Sequence, residues 1–344
     1  MKDLIKPVHL KAGDLVATVS PSSGVAGDPG VRLRYDLAVR RLQEVFGLRV
    51  KAMLHCLDGS DYLYHHPEAR AADLMEAFAD PEVKGVFSCL GGEDTMRLLP
   101  FIDYQVIHDH PKVFLGYSDT TANHFMCLKA GLTSFYGPSV LVDFAEGGGL
   151  RPYMVEYLRR AIFSDQAIGL VEPAPDWSCQ QQPWDAEHFN QPRHFQAGHD
   201  YQLLQGQGVV EGPLIGGNLE VLDWMRGTEI FPDLADFAGA IVFLESSFAV
   251  TPEIVRYALR CLGLLGVWDQ VAGIIVGKPL EQGYAEAYKT EYLQTLAEFG
   301  RSDLPILYDL NFGHCDPRIT IPYGAIGQID CETQNFAILS AGCV

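Results

Sequence analysis

The chain has 344 residues, 48% hydrophobic and 20% charged, which is enough apolar material for a sizeable core, and its length suggests two domains or else one large one. Asp and Glu number 44 against 25 Lys and Arg, a formal charge of −19. A field of that sign repels phosphate backbones and anionic lipid heads, so nucleic acid and membrane surfaces are poor partners, and a small anionic substrate needs a local cluster of donors. No run reaches the roughly 18 apolar residues that span a bilayer. Met1–Leu15 carries alternating charge and no apolar stretch, so it does not read as a secretory signal. None of the eight cysteines forms a C-x-x-C pair, which leaves no zinc ribbon or thioredoxin-like site. They are expected to be reduced, mostly buried thiols in a cytoplasmic protein.

Leu15–Ser20 is a short apolar run closed by a Pro-Ser-Ser-Gly turn and predicts a buried strand. Arg32–Phe46 has apolar residues at helical spacing and stops at Gly47. Leu48–Met53 predicts a strand, Pro67–Ala79 a helix, Gly85–Leu90 a strand entering Gly91-Gly92, and Asp94–Leu99 the start of a helix. Lys112–Tyr117 is the next strand and Thr120–Ala130 the helix after it. Repeated strand–turn–helix units imply a parallel sheet covered on both faces, with ligands at the C-terminal ends of its strands.

Residues 172–206 differ. They hold four prolines, three consecutive glutamines and Trp177, Trp184 and Phe189, with little periodicity. Long patternless connections are usually functional or disordered, and the aromatic residues argue against plain disorder, so this stretch reads as a linker carrying an active-site loop. A second unit follows: the helix Leu219–Arg226 after Gly216-Gly217-Asn218, the strand Ala240–Leu244, the helix Pro252–Leu262, the strand Val271–Val276, the helix Ala285–Phe299, the strand Pro305–Tyr308, and a strand-rich tail over Ala325–Ser340. The expected organisation is an N-terminal domain over 1–170, a linker over 171–206 and a C-terminal β/α domain over 207–344.

Three residues fall just after predicted strands, Ser118 and Glu245 at once and His314 in the loop that follows. Ser118, in Gly-Tyr-Ser-Asp-Thr, occupies a tight strand-to-helix turn where helix N–H groups can stabilise an oxyanion. The pattern is that of a nucleophile elbow, although Thr120 replaces the final glycine of G-x-S-x-G, and Ser118 or Asp119 could serve only as a helix cap. Glu245 ends Val-Phe-Leu-Glu and could equally turn to solvent. His314 follows Gly313 and could be a packed loop histidine. A serine hydroxyl needs a base, histidine is the natural one near neutral pH, and a carboxylate orients it. The order Ser, acid, His is that of α/β-hydrolases. Cys89 and Cys315 are weaker nucleophile candidates. His65-His66 and His108-x-His110 lack metal-ligand spacing, and no Walker-A or dinucleotide fingerprint is present.

Gly-Gly-Glu-Asp-Thr at 91–95, Gly-Tyr-Ser-Asp-Thr-Thr at 116–121, Tyr-Gly-Pro at 136–138, Gly-Gly-Asn-Leu at 216–219, Phe-Leu-Glu-Ser at 243–246 and Asn-Phe-Gly-His-Cys at 311–315 together resemble the LD-carboxypeptidase family of serine peptidases, which includes the microcin C self-immunity branch. The resemblance implies an α/β fold, with an N-terminal Rossmann-like parallel-sheet domain and a C-terminal swivelling β/α domain. It implies a catalytic triad of Ser118, Glu245 and His314, and an oxyanion hole from the N–H groups of Gly92 and Asp119. A cytoplasmic homodimer with no cofactor or metal is also implied. One branch removes D-alanine from muropeptide tetrapeptides. The immunity branch cleaves an amino acid from a nucleotide-like group and stacks the base on a tryptophan of a long central loop. Trp184 falls where that residue is expected, with Trp177 as the alternative ring. Asn218 could donate to a substrate carboxylate or phosphoryl oxygen, or cap the helix after it. A non-catalytic peptide or nucleotide binding protein is the rival of another class.

Overall fold

The computed structural model describes residues 3–185, 187–189 and 191–344. The first half runs β1 (Leu15–Val19), α1 (Arg32–Phe46), β2 (Arg49–Ala52), α2 (Ser60–His65), α3 (Pro67–Ala79), β3 (Val83–Ser88), α4 (Tyr104–Asp109), β4 (Val113–Gly116), α5 (Thr121–Lys129), β5 (Phe135–Tyr136) and α6 (Pro152–Ile162). Every residue of β1 and β4 is buried, as expected of strands covered on both faces. The strands β5-β4-β3-β1-β2 lie parallel in that order, and β14 (Ile321–Pro322), from the far end of the chain, adds antiparallel to β5. The helix expected from Asp94 is a 3-10 turn over Thr95–Phe101, where Pro100 supplies no N–H for an α-helical ladder.

After β6 (Gly169–Val171), β7 (Asp176–Trp177) and β8 (Gln196–Ala197) form a two-stranded ribbon within the irregular stretch. The second half then runs β9 (Gln202–Gln205), β10 (Val209–Asn218), α7 (Leu219–Met225), β11 (Ile241–Glu245), α8 (Pro252–Leu264), α9 (Val267–Gln270), β12 (Gly273–Gly277), α10 (Ala285–Glu298), β13 (Ile306–Leu310), β14, β15 (Ile326–Asp330) and β16 (Asn335–Ile338). Its sheet has the order β6-β16-β15-β10-β11-β12-β13-β9. The central β10-β11-β12-β13 are parallel and their flanks antiparallel. Phe243 on β11 is fully buried, and a side chain of that kind contributes about 1.5–3 kcal/mol of burial free energy.

Two registers bring distant residues together. Asn218 pairs with Glu245 across β10 and β11, and Gly116 pairs with Tyr136 across β4 and β5. The C-terminal ends of both parallel sheets therefore deliver polar side chains to one place.

Candidate active site

Tyr117 leaves β4 in extended conformation and Ser118 follows at φ 65°, a left-handed value that costs a non-glycine residue of order 1–3 kcal/mol. Surrounding bonds hold it there: the Ser118 N–H donates to Tyr136 Oη at 3.0 Å, and Thr121 Oγ1 donates to the Ser118 carbonyl at 2.7 Å. The hydroxyl stands 3.1 Å from His314 Nε2. His314 Nδ1 lies 2.7 Å from Glu245 Oε2. A carboxylate can only accept, so Nδ1 carries the proton and Nε2 is free to accept from Ser118.

Glu245 is almost wholly buried, and its second oxygen accepts from Tyr136 Oη at 2.5 Å and from Asn218 Nδ2 at 3.2 Å. Burial pushes its pKa up, but the charge of His314 and the hydrogen bonds from His314, Tyr136 and Asn218 outweigh burial and hold it below the usual carboxylate range. Gly313 lets the histidine loop pass over this carboxylate. It has φ 89°, and a Cβ there would come within 2.7 Å of Glu245 Oε2.

The turn Gly91-Gly92 lies alongside the serine. A Cβ on Gly91 would fall 2.8 Å from Ser118 Cβ and 3.2 Å from the Asp119 nitrogen, so only glycine leaves room there. Asp119 Oδ2 fastens this turn to the elbow, accepting from Ser22 Oγ at 2.5 Å, Asp94 N at 3.0 Å, and Thr95 N and Oγ1 at 2.9 and 2.7 Å. The N–H groups of Gly92 and Asp119 donate to no other group among the described residues, and Asp119 sits in the first turn of a helix, where intrahelical acceptors are lacking. Hydroxyl, imidazole, carboxylate and two free N–H groups is an arrangement able to perform acyl transfer.

Residues 16–137 match the LD-carboxypeptidase N-terminal domain, and residues 211–329 match the LD-carboxypeptidase C-terminal domain. The chain belongs to the LD-carboxypeptidase family. It is 31% identical to the microcin C7 self-immunity protein MccF of Escherichia coli over 78% of this chain and 77% of that one. It is 30% identical to the "Probable murein peptide carboxypeptidase" of Bacillus subtilis, over 98% of this chain and 95% of that one. Among solved structures, an MccF-like protein from Streptococcus pneumoniae in complex with AMP aligns with a TM-score of 0.86 and 32% identity, covering 95% of this chain and 98% of the other.

In this member of the family a cavity of about 370 Å³ opens beside Ser118. Ser118, His314, Gly92 and Asn218 form one part of its lining, and Trp184, with Gln180, Gln181 and Gln182, forms another. The central stretch thus contributes to the lining of the cavity. Trp177 is elsewhere: it is buried, with Nε1 donating to Ala197 O at 3.1 Å. Asn218 fulfils its ordinary role, Oδ1 accepting from Val221 N at 3.0 Å to cap α7, while its amide nitrogen is turned to Glu245.

Several residues of the site escape a reading of the sequence. Tyr136, from the two-residue β5, bridges the Ser118 backbone and Glu245. Phe248 packs edge-on against His314, ring centres 5.7 Å apart. Arg193 is held between Glu146 and Asp316, each at 2.6 Å, and Arg318 joins Asp316 at 3.0 Å and Asp143 at 2.8 Å. Burial pushes Asp316 up, but Arg318 and Arg193 outweigh it and hold the carboxyl below its usual range.

The cysteine expectation needs correction. Cys179 and Cys315 form a disulfide, their Cα atoms 4.5 Å apart. Ser178 and Asp316 exchange two backbone hydrogen bonds of 2.8 Å in antiparallel fashion, and the same register sets residue 179 opposite 315. Cys89 is buried and shares a 3.5 Å sulfur contact with Cys56. No group of three or more His, Cys, Asp or Glu among the described residues is arranged to hold a metal ion, and none of the described helices is long and apolar enough to cross a membrane.

Proposed function

We propose that this chain is a serine carboxypeptidase that hydrolyses the amide-type bond between an amino acid and a nucleotide-like group, as in processed microcin C and aminoacyl-adenylate mimics. Ser118 attacks the acyl carbon while His314 takes its proton, with Glu245 orienting the imidazole and stabilising its charge. The Gly92 and Asp119 N–H groups receive the oxyanion. The C–N bond breaks as His314 returns the proton to the leaving nitrogen. Water, activated by the same histidine, then releases the amino acid and restores Ser118.

One observation carries the choice of substrate: Trp184 shares the cavity of Ser118, where an indole face offers a base about 1–3 kcal/mol of stacking. The likeness to an MccF-like protein in complex with AMP supports the same reading. Release of D-alanine from muropeptide tetrapeptides is the second reading, supported by 30% identity to the murein peptide carboxypeptidase over nearly the whole chain. The product in either case is a small molecule, in keeping with a self-immunity, detoxifying or wall-recycling role in the cytoplasm. The family resemblance also points to a homodimer, which light scattering on the purified protein tests.

A paired assay decides the substrate. The protein and its Ser118→Ala variant each receive an aminoacyl sulfamoyl adenosine and a murein tetrapeptide, with products read by mass spectrometry. Ser118-dependent cleavage of the adenosine compound is expected, at a rate that falls about 10⁴-fold or more in the variant. D-alanine release alone would replace the first reading with the second. Turnover that survives Ser118→Ala would remove Ser118 as the nucleophile, and tight binding with no turnover by the parent protein would favour a binding protein.

A further inference from the structure

The cavity contains a cation that the proposed chemistry does not use. Arg34, in the first turn of α1, retains only 7% of its exposure yet lines the same cavity as Ser118. Its Nε donates to Leu141 O at 3.1 Å, and its guanidinium carbon stands 4.8 Å from the centre of the Trp184 ring. The Leu141 N–H in turn donates to Cys89 O at 3.0 Å, and Cys89 begins the segment that turns at Gly91-Gly92. The guanidinium is thus tethered between the oxyanion turn and the tryptophan.

Three other buried arginines show what is missing. Arg193 has Glu146 and Asp316, Arg318 has Asp143 and Asp316, and Arg70 has Asp94 at 2.7 Å. Arg34 has no carboxylate within ion-pair distance among the described residues. A chain with 44 acidic residues is not short of carboxylates to place there. Burial holds its pKa down, to about 10, against the opposing pull of Glu146, so it remains a cation at neutral pH. Glu146 is the nearest opposing charge but is itself paired with Arg193 at 2.6 Å, and a buried cation with no carboxylate of its own in contact is costly unless a ligand provides one.

We infer that Arg34 is the seat of an anionic group on the leaving half of the substrate, a phosphoryl or sulfamoyl group next to a nucleoside, and so a specificity-determining residue. The inference rests on the proposed nucleotide-type substrate but not on catalysis, and binding tests it separately. Calorimetry is run with AMP and with adenosine on the native protein, Arg34→Met and Arg34→Lys, each checked for an unchanged melting temperature. AMP is expected to bind the native protein about tenfold or more tighter than adenosine, the range of a charge-assisted hydrogen bond. Arg34→Met should erase that preference by weakening AMP alone, and Arg34→Lys should keep part of it. Equal affinity of the native protein for both ligands would overturn the inference. So would an equal loss of both in Arg34→Met, which would make Arg34 only a support for Trp184. A murein tetrapeptide is the third ligand: if its affinity is the one that depends on Arg34, the anion is a peptide carboxylate and the inference fails. An AMP preference that vanishes in Arg34→Met while the paired assay gives no adenylate cleavage would leave the Arg34 site standing and remove the substrate reading.

Discussion

Two sides of one cavity are built by different means. On the Ser118 side, strand register places Asn218 opposite Glu245 and Tyr136 opposite Gly116, two residues before Ser118, and His314 follows in the loop after β13. On the Trp184 side the chain is irregular. It is held to the loop after His314 by two backbone bonds at Ser178, by Arg193 on Asp316, and by the Cys179–Cys315 disulfide. Packed strands set positions to within a fraction of an ångström, which acyl transfer demands. Ion pairs and a disulfide can instead pin down a loop of nearly any sequence. On the proposed reading, the chemistry is tied to the sheets and the choice of substrate to the irregular segment.

That contrast is sharpened most by Glu245→Gln. The variant should lose about 10⁴-fold in kcat with little change in KM, because the imidazole loses its orienting charge. Its stability also has a pH signature. The carboxyl of Glu245 is depressed in the fold, so its stabilising contribution is present above the unfolded pKa and lost as pH falls through the folded one. The melting-temperature gap between parent and variant should be widest near neutrality and close as pH drops below the ordinary carboxylate range. A gap that is constant or grows in acid would contradict this.

Tyr136→Phe should come next, at about 10–100-fold in kcat, since it removes one hydrogen bond to a buried carboxylate and one acceptor for the Ser118 N–H. An unchanged kcat would mean that strand register alone positions the elbow. Smallest of all should be the effect of cutting the disulfide. Cys179→Ser, or treatment of the parent with a dithiol reductant, should alter kcat for a minimal substrate less than about threefold while lowering the melting temperature, as loss of a cross-link does. A collapse of kcat on reduction would break the division of labour between the two sides.

Legibility in the sequence follows the same division. Leu15–Val19, Val113–Gly116 and Ile241–Glu245 announce themselves as apolar runs, and the residues just beyond them are where a parallel sheet collects its chemistry. Gly47 ends α1 as expected, with φ 70°. Tyr136 is invisible because two residues of strand carry no periodicity; only the Tyr-Gly-Pro block marked it. The helix α6 lies outside the elements read from the sequence, although Pro152 in its first turn and apolar residues at 154, 157, 158, 161 and 162 mark it. Arg34 looks like one more charge on an amphipathic helix, and its burial depends on Leu141 and Trp184, more than 100 residues away. Cys179 and Cys315 have no spacing signature, because their meeting is set by the register of a bridge between distant loops.

The disulfide also changes the connectivity of the molecule. It joins residues 136 positions apart, and the segment so enclosed contains all of α7, α8 and α10. The polypeptide is thus a closed ring with two tails. A protease that cuts a surface loop inside that ring leaves a single covalent object of unchanged mass apart from one added water. Only a reductant would part its two fragments on a gel. A cut in either tail would part them at once.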